Sequence, residues 1–121
     1  MNIYVGHSRD FEYMKELYVP LMESELNEKH EFIFPHLNED AFNSKKIIEK
    51  ADLFIAEVSV SSLGLGIEIG RAEMLNKKIL CIYKTKLPSS LKYVNVDSLR
   101  YNDKNDMVNR ITEYINKKSN F

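Results

Sequence analysis

The stretch DLFIAEVSV (52–60) limits the possible folds more than any other. Its first half is nearly all apolar and lacks the in–out alternation of a strand that keeps one face in water. Such a strand is buried on both faces, which points to a parallel sheet covered by helices on each side. The rest of the chain has the matching rhythm. Short apolar runs at 2–6 (NIYVG), 31–35 (EFIFP) and 78–84 (KILCIYK) read as further strands, with a weak fifth at 99–101. Between them the apolar period lengthens. Phe11, Met14, Leu17, Tyr18 and Leu21 recur at helical spacing, with Asp10 as the expected cap and Pro20 as an expected kink. Residues 42–50, 66–76 and the run through Met107, Ile111, Tyr114 and Ile115 read as three more helices, and the run from 102 (NDKND) reads as the capped start of the last.

The order β-α-β-α-β-α-β-(loop)-β-α predicts an α/β fold: a flavodoxin-like, Rossmann-like three-layer sandwich. Its five-stranded parallel sheet would run 2-1-3-4-5. At 121 residues the chain is the size of one domain, read as a single unit over 1–121. A formal net charge of −1 gives no global field for a nucleic acid polymer or an anionic membrane. No apolar stretch nears the ~20 residues of a membrane helix, and the N-terminus has no pattern of a secretion signal. The lone cysteine, Cys81, excludes an internal disulfide and suits a cytoplasmic setting.

In sheets of this kind ligands bind beyond the carboxyl ends of the strands, near the switch point. Three loops would meet there: GHSRD (6–10), PHLNED (35–40) and SVSSLGLG (59–66). The last continues into SSLGLGIEIG (61–70), which holds three of the four glycines. Glycine permits positive φ and lets a ligand approach the backbone. The first helical turn offers free N–H groups to an anion, and Ser61 and Ser62 add hydroxyls. This suggests a phosphate cradle, although the spacing is neither a Walker loop nor GxGxxG. The alternative is a tight turn with a capping serine. Glu68 is placed in the first helical turn, where the helix dipole alone would favour an acid. A carboxylate held near a sugar can instead attack its anomeric carbon.

Residues 51–84, ADLFIAEVSVSSLGLGIEIGRAEMLNKKILCIYK, resemble the core signature of the nucleoside 2-deoxyribosyltransferase family, closest to its 2′-deoxynucleoside 5′-phosphate N-hydrolase branch. The shared pattern is an A-D-apolar-A-E-V strand, S-L-G-x-G-x-E-apolar-G-R-A, then a K-apolar-C strand. The resemblance implies that Glu68 is the nucleophile at C1′ and that Ser62, Gly64 and Gly66 hold the 5′-phosphate. It implies that Ser90, in LPSSLKYV, serves a neighbouring subunit's phosphate in a homodimer or higher even assembly. Gly6 and Arg9 match a glycine and an arginine of the family's first loop, with His7 and Ser8 between them. It implies no cofactor. The histidines lack zinc-site spacing, so no metal is expected either.

Two positions depart from the family. Its aspartate eight residues before Asp52 is here Ser44, with Glu39 and Asp40 nearby. Its tyrosine three residues before the loop glycine is here Ile3. Tyr4 adjoins it, and neighbours on a strand face opposite sides, so Tyr4 is expected to point away. His36 or Asp40 is the expected proton donor to the leaving base, and loop position also made His7 a possible donor. Glu57, within AEV, is read as support for the loop or a dimer contact, or else as an edge or end-of-strand charge. The expected activity is hydrolysis of the N-glycosidic bond of 2′-deoxynucleoside 5′-monophosphates. Base exchange, cleavage of another nucleotide such as NAD, and a nucleotide-binding module without chemistry are the alternatives.

Overall fold

The computed structural model describes residues 1–37 and 44–118. Its sheet is parallel throughout, in the order β2-β1-β3-β4-β5. The strands are β1 (Asn2–His7), β2 (Glu31–Ile33), β3 (Leu53–Glu57), β4 (Lys78–Tyr83) and β5 (Asp97–Arg100). Every residue of β3 is buried, as its unbroken apolar run requires. Asp52 accepts the Asn2 N–H at 2.8 Å and ties the starts of β1 and β3 together.

Alternation along the strands builds two cores. Ile3, Val5, Leu53, Ile55, Leu80 and Ile82 point to one face. There they meet a π-helical turn, Met14–Tyr18, the short helices α1 (Val19–Met22) and α2 (Leu26–Lys29), and α5 (Lys104–Lys117). Tyr4, Phe54, Ala56 and Cys81 point to the other face, against α3 (Ser44–Lys50) and α4 (Leu63–Met74). Burial pushes the Cys81 thiol up to about 12, so it packs as an apolar side chain. Among the described residues no helix is long and apolar enough to cross a membrane.

The first helix starts later than its apolar period suggests. Asp10 does not cap it. The residue before Met14 is Tyr13, which makes no side-chain cap, and Asp10 stays in the loop with its N–H on Ser8 Oγ at 3.1 Å. The Val19 N–H reaches the Met14 carbonyl, five residues back. The ladder thus widens into a π-turn just before Pro20, which has no N–H to continue it. β2 stops at Ile33, two residues short of Pro35, and residues 42 and 43 lie outside the described residues.

The larger correction concerns α4. It begins at Leu63, not at residue 66, because Ser62 caps it: Oγ accepts the Leu65 N–H at 3.2 Å. Gly64 and Gly66 are therefore helical, and no described glycine has positive φ. Glu68 lies in the second turn rather than the first, so the helix dipole is not what places an acid there. A Cβ on Gly64, Gly66 or Gly70 would meet nothing within 4 Å. These glycines leave a bare helix surface rather than a turn. By contrast α5 is capped as its sequence indicates, with Asp103 accepting the Asp106 N–H at 2.8 Å.

Candidate active site

A cavity of about 500 Å³ opens at the carboxyl ends of β1 and β3. Its walls come from the end of β1 and the loop after it (His7, Ser8, Arg9, Asp10), from His36 after β2, from Ser44 at the start of α3, and from Ser62, Gly64, Leu65, Ile67, Glu68 and Arg71 of α4 and its cap. The fold thus gathers Glu68, Ser62, Gly64, His7, Ser8, Arg9 and His36 from three separate stretches of chain. Asp40 and Glu39 lie outside the described residues.

With Asp10, Glu68 is one of two acids that line the cavity among the described residues. Tyr4 OH donates to its Oε2 at 2.5 Å, and the Ser44 hydroxyl is hydrogen-bonded to it as well. Burial raises the carboxyl above its usual range. The two hydroxyls and the nearby Arg71 guanidinium pull the other way by favouring the anion. Burial and the carboxylate charge push the Tyr4 phenol far up, so it stays a donor. Tyr4 therefore does not point away from the site. Its face of β1 is the one that α4 covers, and its ring packs edge-on against Phe54, with centroids 5.1 Å apart. The two departures from the family pattern end at one carboxylate, with Ser44 and Tyr4 both holding Glu68.

His7 is not available as a proton donor to substrate. It is 5% exposed and both ring nitrogens are used. The Ser8 carbonyl can only accept, so Nδ1 carries the proton and donates to it at 2.8 Å. Nε2 then accepts from Tyr18 OH at 2.6 Å, and Tyr18 OH accepts the His36 N–H at 3.1 Å. Burial, with His36 adding to it, lowers His7 to about 4, against the opposing Ser8 bond, and keeps it neutral. Tyr13 stacks on its ring at 4.4 Å. The His36 ring leans on the same group at 4.8 Å from His7, and burial and then Arg9 hold its pKa below the ordinary histidine value.

Gly6 and Gly66 take other places than expected. Gly6 is buried in β1 away from the cavity. A Cβ there would lie 2.8 Å from the Phe54 ring and 3.2 Å from Leu65, so its smallness serves packing rather than phosphate. Gly66 and Ser90 line a second, smaller hollow of about 80 Å³, which shares Ser62 and Leu65 with the first. Arg71 and Tyr4 went unrecognised in the sequence. Arg71 follows Glu68 by three positions, a helical spacing that puts two side chains on one face and was a usable signal. Among the described residues no group of three His, Cys, Asp or Glu side chains could hold a metal ion.

No family model matches this chain. Among curated proteins, 5-hydroxymethyl-dUMP N-hydrolase of Branchiostoma floridae is 51% identical over 37 residues, 31% of this chain and 35% of that protein. The human protein of that name is 49% identical over 37 residues, 31% of this chain and 21% of its own length. Its homologues are nucleotide N-hydrolases. A longer match, 35% over 74 residues, covers 57% of this chain and 46% of a Methanosarcina barkeri protein provisionally named 2′-deoxynucleoside 5′-phosphate N-hydrolase 1. These matches span from a fifth to nearly half of the relatives' own length. Among solved structures, the CMP N-glycosidase BcmB of Clostridium botulinum superposes with a TM-score of 0.73 at 21% identity. The superposition covers 94% of this chain and 99% of that one, so the fold is shared end to end. The resemblance and the fold read from the sequence are both borne out.

Proposed function

We propose that this chain hydrolyses the N-glycosidic bond of a 2′-deoxynucleoside 5′-monophosphate, releasing the free base and deoxyribose 5-phosphate. The observation that carries this reading is Glu68, held in the cavity by the Tyr4 and Ser44 hydroxyls and six residues along α4 from its capped N-terminus. Six residues of helix rise are roughly 9 Å, the scale of a pentose 5-phosphate. The phosphate sits at Ser62 and the bare backbone of Gly64, with Arg9 at the same cavity wall. Glu68 then faces C1′.

In the reaction a Glu68 oxygen bonds to C1′ as the C1′–N bond breaks, and the bonding pair leaves with the base. The base takes a proton, which we assign to His36 or Asp40. Water then attacks C1′ and breaks its bond to Glu68, the water's proton returns to the group that protonated the base, and the Glu68 carboxylate and deoxyribose 5-phosphate result. The oxocarbenium-like charge is stabilised by the same carboxylate. The Tyr4 and Ser44 hydroxyls favour the ionised form of Glu68 against its burial, and burial and then Arg9 lower the pKa of His36, so charging it for proton donation takes a lower pH than for an ordinary histidine.

A homodimer accompanies this proposal. Leu63, Ile67 and Met74 lie 83%, 47% and 81% exposed on one face of α4 with Gly70 among them, an apolar stripe beside the cavity. Ser90 then serves the neighbouring subunit. Leu63→Glu should convert a dimer to a monomer in analytical ultracentrifugation; an assembly unchanged by it would remove this face from the interface.

The activity test is a panel of deoxynucleoside monophosphates followed by chromatography of the free base. Glu68→Gln should leave no measurable release and no trapped glycosyl ester. Release at the wild-type rate by Glu68→Gln would sink the assignment.

A further inference from the structure

The last residue of β3, Glu57, has no exposed surface and does not line the cavity. Its Oε1 accepts the Ser59 N–H at 2.6 Å, and its Oε2 accepts from Tyr101 OH. The Ser59 hydroxyl is hydrogen-bonded to the same carboxylate, and Ser59 Oγ accepts the Lys84 N–H at 2.9 Å. The Tyr101 N–H donates to the Tyr83 carbonyl at 3.0 Å, and the Val58 N–H to the Ile82 carbonyl at 2.9 Å. One buried carboxylate thus joins the carboxyl ends of β3, β4 and β5. Burial raises its pKa, while Tyr101, Ser59 and the charge of Lys84 lower it.

A buried acid needs a reason, since an apolar side chain fills space without losing hydration. The reason is in the turn. Ser59 folds its N–H back towards the end of its own strand, and only an acceptor there satisfies it. Ser59 stands three residues before Ser62, the cap of α4 and the proposed phosphate contact. We infer that Glu57 is a positioning residue for the phosphate turn: by fixing Ser59 to β4 and β5 it sets where Ser62 and the first N–H groups of α4 stand. This rests on the proposed nucleotide reading. The hydrogen bonds of Glu57 go to Ser59 and Tyr101 and its side chain lies outside the cavity that Glu68 lines, so its effect falls on phosphate binding rather than on the glycosidic bond.

The test uses Glu57→Gln, which keeps the shape and one acceptor, and Tyr101→Phe, which keeps the ring in the core if the first variant fails to fold. Amide hydrogen exchange of residues 59–66 should quicken at least tenfold in either variant, while β1 keeps its protection. The KM for the deoxynucleoside monophosphate should rise at least fivefold with kcat within twofold. Calorimetric affinity for deoxyribose 5-phosphate should fall by a similar factor, and that for the phosphate-free deoxynucleoside should hold. Unchanged exchange at 59–66 in a folded variant overturns the inference. So does a loss of kcat at constant KM, or equal weakening of the phosphate-free ligand. A wild-type protein that releases no base refutes the nucleotide reading, and the exchange measurement still decides what Glu57 does to the turn.

Discussion

Removing one oxygen atom from Tyr4 tests the core of the mechanism. Tyr4→Phe keeps the ring against Phe54 and deletes the hydroxyl that donates to Glu68 at 2.5 Å. A hydrogen bond to a charged group is worth about 1.5–3 kcal/mol. Each 1.4 kcal/mol is a factor of ten, so at any given pH the ratio of ionised to protonated Glu68 should fall roughly 10- to 100-fold. The sign follows from what the bond stabilises. It favours the anion, so without it protonation is easier and a higher pH is needed to ionise Glu68. Burial already pushes Glu68 in that direction, and among the described residues Ser44 and Arg71 remain as counterweights. The acid limb of the kcat/KM profile should therefore move towards neutral pH, with the plateau above it within a few-fold of wild type. Thermal unfolding provides the control for integrity. An acid limb that stays in place would refute the reasoning. A plateau lowered a hundredfold with an unmoved limb would refute it too, because Tyr4 would then act on the reacting sugar rather than on the charge of Glu68.

Two further substitutions probe the scaffold. His7 is lowered from 6.5 to about 4, so above pH 6.5 it is neutral in both states and its contribution is fully present; as pH falls the unfolded chain takes the proton first, and on the order of 3 kcal/mol is lost by about pH 4. Urea unfolding at pH 7 and pH 4 should show that loss in the wild type and not in His7→Gln; equal losses in both would contradict it. Gly6→Ala forces a methyl to 2.8 Å from the Phe54 ring, which is fully buried, and should cost about 1–3 kcal/mol in denaturant midpoint measurements. An unchanged midpoint would show that the ring yields freely.

The sheet was legible because one strand had to be buried on both faces. With β3 fixed in the middle, the alternation of elements left few topologies. The position of Glu68 was legible as chemistry but not as geometry. Leu63, Gly64 and Gly66 look like a loop, since glycine disfavours helix and a leucine at the surface gives no apolar period. The deciding signal was the Ser62 cap three residues before Leu65. Tyr4 was missed for a different reason. Counting along β1 gives two faces but not which of them α4 covers, and that depends on how the crossover from β3 packs. That His7 is tied to Tyr18 was not legible, because apolar spacing announces the helix that carries Tyr18 but not the π-turn that sets the direction of its phenol. α2 was missed because four residues, Leu26–Lys29, hold only one buried position.

That turn also fixes the length of the chain. Residues Met14–Tyr18 carry one residue more than an α-helical path between the same ends would need, and each residue of helix turns a side chain by roughly 100°. Deleting any one of them would let the ladder relax to ordinary helix and swing Tyr13 and Tyr18 out of phase. The first stacks on His7 and the second bonds both His7 and the backbone of His36. The segment sits far from Glu68 in sequence and could accept many changes of residue type on its outer face. It cannot accept a change in number. Insertions and deletions here, more than substitutions, are what would take the loops after β1 and β2 apart.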